Sequence, residues 1–94
     1  KKFSRQYDVW LEQKEREASA GRFSHATLLL YRIYNNYFDS LHNLDVREIR
    51  LKHLQGFLDN VRSAEEGSRA LSNKYKKNMI DCLKTFFKWL VRWG

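Results

Sequence analysis

The spacing of apolar residues narrows the possible folds before any other property is needed. No stretch alternates apolar and polar residues with period two over the length of a strand, whereas segment after segment repeats at helical spacing. The clearest case runs from about Ser72 to Trp93. There Tyr75, Met79, Cys82, Leu83, Phe86 and Leu90 share one face. Lys74, Lys77, Asp81, Lys84, Lys88 and Arg92 fall within an arc of about 80° nearly opposite. Lys76 stands off that arc, but in the first turn, from which it still reaches solvent.

Three earlier segments follow the same rule. The first, from about Ser4 to Ala18, carries the stripe Phe3, Tyr7, Trp10 and Leu11 and ends at Gly21. Its second half is nearly all charged, so only its first half is predicted to pack firmly. The second opens at Ser24, whose hydroxyl is a natural N-cap acceptor. Its predicted buried face is Leu30, Ile33, Tyr34, Tyr37, Phe38 and Leu41. His25, Leu28, Leu29, Arg32, Asn35 and Asn36 point the other way. On that outer face Leu28 and Leu29 are open to three roles: packing under the first helix, meeting a thymine methyl, or contacting a neighbouring protomer. Packing is the favoured one. The third segment follows His42–Asn43 and the bridge 45–49, with Leu51, Leu54, Phe57, Leu58 and Val61 marking a helix to about Ala64. Glu65–Glu66–Gly67–Ser68 reads as a loop. Short connections between helices favour antiparallel neighbours, so the expected fold is all-α, a compact four-helix bundle.

A chain of 94 residues makes one domain with a modest core. Its longest apolar run, Leu28–Tyr31, is far below the ~20 residues of a membrane span, and no signal peptide is expected. The start at Lys1 without an initiator Met, and the stop at Gly94 just after a helical pattern, read as a piece of a longer protein. Cys82 is the only cysteine, which excludes an internal disulfide and fits a reducing, cytoplasmic compartment. His25, His42, His53 and Cys82 have none of the spacings that zinc sites use, so neither metal nor cofactor is expected.

Charge is the strongest pointer to a partner. The net charge is +7, and residues 69–94 carry +6 of it, from Arg69, Lys74, Lys76, Lys77, Lys84, Lys88 and Arg92 against Asp81 alone. Concentration in one segment favours a polyanion, although a merely solvated lysine face remains the simpler alternative.

The order of residues adds a resemblance. Ser24-His-Ala-Thr27, followed by Tyr31 and Phe38, resembles the S-x-x-T…Y…F opening of the core-binding (SAM-like N-terminal) domain of tyrosine recombinases of phage-integrase type. Arg47-Glu-Ile49, His53-Leu54 and Phe57-Leu58 are similar to that family's second block, with Arg50 where threonine or serine usually caps the helix. Leu71-Ser-Asn-Lys-Tyr-Lys-Lys-Asn-Met-Ile-Asp-Cys-Leu-Lys-Thr-Phe-Phe-Lys-Trp89 is similar to the third, with Tyr75 at the usual threonine. The resemblance covers about 22–94, the expected DNA-binding domain. Residues 1–21 are left as an N-terminal helix or linker packing on the bundle, a segment that in such a protein would lead from an arm-binding domain.

The resemblance implies half of a C-shaped clamp on double-stranded DNA, the other half being a C-terminal catalytic domain of the same polypeptide. Recombinase protomers on the DNA are the further partners, and no membrane is involved. The helices starting at Ser24 and Ser72 would face the major groove near the strand-exchange site. The candidate DNA-binding residues are Ser24, His25, Leu29, Arg69, Ser72, Asn73, Lys74, Lys76, Lys77, Asn78 and Lys84. Lys74 and Lys77 would touch phosphate, and Asn78 an adenine edge, unless it is an ordinary solvated side chain. Asp81 is expected to pair with Lys77 or Lys84. The family's catalytic residues belong to the other domain. The five tyrosines here read as packing residues, and this fragment as non-catalytic. The rival reading is a helical protein–protein module whose basic face binds an acidic partner.

Overall fold

The computed structural model describes residues 1–50, 52–54, 56–57 and 73–93. Every regular element among them is helical and none is a strand, so the chain is all-α. In order these are α1 (Phe3–Ser19), α2 (His25–Asn35), α3 (Asp39–His42), helical residues 52–54 and 56–57, and α4 (Asn73–Trp93). The sequence expectations for Leu51, Leu58, Val61, the loop at 65–68, Arg69 and Ser72 lie outside the described residues.

Local chemistry sets most of the boundaries. Before α1 the chain is extended and runs antiparallel to 44–46. Phe3 N–H donates to Leu44 O (2.8 Å), Val46 N–H to Lys1 O (2.8 Å), and the Lys1 ammonium to Asp45 Oδ2 (2.8 Å). At the other end Gly21 takes φ +77°, which a side chain would disfavour. Its N–H reaches Ala18 O and the Arg22 N–H reaches Glu17 O, closing the helix in a Schellman arrangement. Ser24 caps α2 as expected, its Oγ accepting from Thr27 N–H at 3.3 Å. Arg50, standing where a hydroxyl cap was absent, is served from the next turn: His53 Nδ1 accepts its N–H at 2.8 Å, the reach-back half of a capping box.

Two features of the second segment depart from expectation. The single helix predicted through Leu41 stops at Asn35, and α3 restarts at Asp39. Consecutive i→i−3 bonds from Asn36, Tyr37 and Phe38 tighten the chain there, at two adjacent asparagines of poor helix propensity. The buried face is also rotated. Leu28 is buried, while Leu30 and Ile33 are 39% and 38% exposed. The cause is α1, which covers the Tyr31 side of α2: Trp10 stacks on Tyr31 at 4.9 Å, and the Tyr7 hydroxyl donates to Tyr31 O at 2.7 Å.

One apolar cluster fills the interior. α1 contributes Phe3, Tyr7 and Trp10, and α4 contributes Met79, Cys82, Leu83 and Phe86, all buried. Phe86 lies 5.2–5.4 Å from the rings of Phe3, Tyr7 and Trp10. Phe38 and Phe57 close the far side at 5.2 Å. The charged half of α1 packs more firmly than its composition suggests. Ala18 is buried, Gln13 Oε1 accepts from Trp89 Nε1 at 2.7 Å, and the Lys14 ammonium sits 5.0 Å from the Phe23 ring. Long polar side chains cover apolar surface with their stems and keep their heads in water.

Candidate nucleic-acid interface

α4 is a two-sided helix, and its outer side is basic. Lys74, Lys77, Asn78, Asp81, Lys84, Lys88 and Arg92 are all exposed, while Met79, Cys82, Leu83 and Phe86 on the opposite side are buried. Lys76 is half-buried, in keeping with its position off the basic arc. Asn73 is the first residue of α4, so Lys74 and Lys77 stand in the first turns, where the helix dipole adds to their attraction for anions.

The N-terminal half of α4 lies beside α2. The two helices flank a shallow groove of about 220 Å³ whose lining includes Thr27, Leu30 and Tyr31 from α2 and Asn78, Asp81 and Thr85 from α4. Asn78 is thus brought next to α2. His25 is exposed on the first turn of α2, and Leu29 is 59% exposed one turn later; neither lines this groove. Ser24 is exposed, but its side chain is engaged in capping. Lys84 borders a different groove, shared with Lys88, Trp89 and Gln13. Arg69 and Ser72 fall outside the described residues.

Thr27, Leu30 and Thr85 are groove residues that the sequence reading did not select. Helical spacing carried the signal for Thr85, seven residues from Asn78 on the same face. Leu30 lies on the face that spacing predicts to be buried. Asp81 makes neither predicted ion pair among the described residues, and its carboxylate stands open beside Asn78. Phosphate is therefore repelled from the middle of this groove and favoured towards Lys74 and Lys77.

His42 Nε2 lies 3.1 Å from Asn35 O and 3.0 Å from Asn35 Oδ1, bracing the α2–α3 break. Burial raises the Tyr7, Tyr31, Tyr34 and Tyr75 hydroxyls above the ordinary tyrosine range. Burial also pushes the Cys82 thiol up to about 12, so it is neutral at pH 7 and a poor nucleophile. Among the described residues no three His, Cys, Asp or Glu side chains are grouped to hold a metal ion, and no helix is long and apolar enough to cross a membrane. Comparison with protein-family models, with curated proteins and with solved structures found no match to this chain.

Proposed function

We propose that this chain is the core-binding module of a tyrosine recombinase, a SAM-like four-helix bundle that grips duplex DNA beside the strand-exchange site. The observation that carries the reading is the outer side of α4, where five exposed cations share one face with a single carboxylate. That face belongs to the segment holding +6 of the chain's +7 charge. Lys74 and Lys77 at the helix start set the register through phosphates, and Asn78 meets a base edge. His25 and Leu29 approach from α2. The module positions the DNA; the bond-breaking residues lie in a separate catalytic domain of the same polypeptide, working with further protomers in the cytoplasm.

Titration of a labelled duplex at several salt concentrations tests this. With about four to six phosphates neutralised, log K falls against log salt with a slope of roughly −4 to −5. Affinity is expected to be micromolar or weaker, since half of the clamp is missing. A second reading, a protein–protein module, is favoured by the apolar outer side of α2, where Leu29, Leu30 and Ile33 are exposed together. Absence of duplex binding even at low salt would decide for it.

A further inference from the structure

The C-terminal half of α4 carries a surface of different chemistry. Val91 is 91% exposed, and Phe87, Trp89 and Leu90 beside it are only half-buried. Two grooves meet along the line of Phe87 and Val91. The larger, about 970 Å³, lies between α4 and the second half of α1; the smaller, about 400 Å³, lies between α4 and Val46–Arg47. Their floor is already fixed. The Trp89 ring is tied to α1 through Gln13 at 2.7 Å, and the Phe87 ring rests 5.4 Å from Phe86 in the core.

The rim is cationic. Lys84, Phe87, Lys88 and Val91 fall at i, i+3, i+4 and i+7, so cations and apolar groups share one face. Lys84, Lys88 and Arg92 are exposed and form no ion pair among the described residues. Among the described residues the one carboxylate bordering the larger groove, Glu17, already holds the Lys14 ammonium at 3.1 Å. The surface therefore suits a partner that brings apolar groups to Val91 and Phe87 and negative charge to the three cations around them.

A nucleic-acid backbone satisfies the cations but leaves the valine in water. An amphipathic helix with apolar residues at i, i+3, i+4 and i+7, bordered by Asp and Glu, satisfies both. We infer that this end of α4 docks an acidic amphipathic helix of a partner protein. Its centre, Lys88 and Val91, lies roughly 16–26 Å along the helix from Lys77 and Lys74, so the two ends of α4 can be filled together, with Lys84 between them.

The test uses the whole 94-residue chain and a labelled peptide of about 18 residues, Leu at helical spacing and Glu elsewhere. Anisotropy is expected to give a Kd of about 10–100 μM. Val91→Asp, at a site too exposed to affect the fold, weakens it about tenfold or more by setting a carboxylate against the apolar side of the peptide. Lys88→Glu weakens it by about threefold to tenfold, and Lys74→Ala leaves it unchanged. Circular dichroism of each variant confirms folding. Equal binding by a scrambled peptide of the same composition overturns the inference, as does indifference to Val91→Asp. So does displacement of the peptide by a duplex or single-stranded oligonucleotide, or absence of binding at about 1 mM peptide in low salt.

Discussion

Cys82 and Tyr7 meet in the middle of the core, the hydroxyl oxygen 3.3 Å from Sγ while the same hydroxyl donates to Tyr31 O. Neither group can ionise there without carrying charge into an apolar cluster, and both titrate above their ordinary values. The folded state then keeps a thiol proton that the unfolded chain releases near pH 9. Stability from this group is complete below about 9 and is lost as pH rises towards about 12, with Tyr7 acting in the same direction. Thermal melts should accordingly fall steadily above about pH 9. At pH 8 an aromatic disulfide reagent should label Cys82 about 100-fold more slowly in the native chain than in denaturant. Fast native labelling would mean that α1 does not cover α4. That Tyr7 and Cys82 are core residues was legible from their places in the apolar stripes. That they touch was not, because 75 residues separate them.

α2 is the element whose orientation spacing alone could not settle. Leu28, Leu29, Leu30, Tyr31, Ile33 and Tyr34 are apolar around nearly its whole circumference, so several faces serve almost equally well. The expected face leaned on Phe38 and Leu41 as parts of the same straight helix. They lie beyond the break at Asn35–Asn36, so their burial says nothing about the rotation of α2. Two truncations distinguish the alternatives. Leu28→Ala should cost about 2–4 kcal/mol, as for a buried leucine leaving a cavity. Ile33→Ala should cost about 1 kcal/mol or less, since much of that side chain is already in water. Denaturant melts measure both, and the opposite ranking would restore the face first expected.

At the scale of the molecule, charge and shape are divided between the two ends of α4. The start of the helix joins α2 at the Asn78 groove, whereas its end joins α1 and the 46–47 turn around Val91. Lys74 and Lys88 have the same charge and lie on the same face but about 20 Å apart by helix rise, beyond the ~8–10 Å screening length at physiological salt. Duplex bound at the start of α4, as proposed, would feel one and not the other. Lys74→Ala should weaken DNA binding and lower the salt slope by about one unit, while Lys88→Ala should do much less. Binding curves for both variants at two salt concentrations make the comparison. Equal losses would mean that DNA is drawn to diffuse charge and not to a defined surface.

The helical class, the aromatic stripe of α1, the Ser24 cap, the Gly21 stop and the two sides of α4 all follow from the sequence by itself. Each rests on contacts within a few residues or on a repeat of 3.6, and α4 sets its lysines so far round from Met79, Cys82, Leu83 and Phe86 that the latter face is the one to be buried. Tertiary structure alone decided the rest. It set the rotation of α2 under α1, the packing of the charged half of α1 through Gln13 and Trp89, the meeting of Asn78 with Thr27 and Leu30, and the exposure of Val91. An apolar side chain is buried only where another element arrives to cover it. For a helix apolar on every side, or one whose neighbours leave a position uncovered as those of α4 leave Val91, that depends on residues far away in the chain.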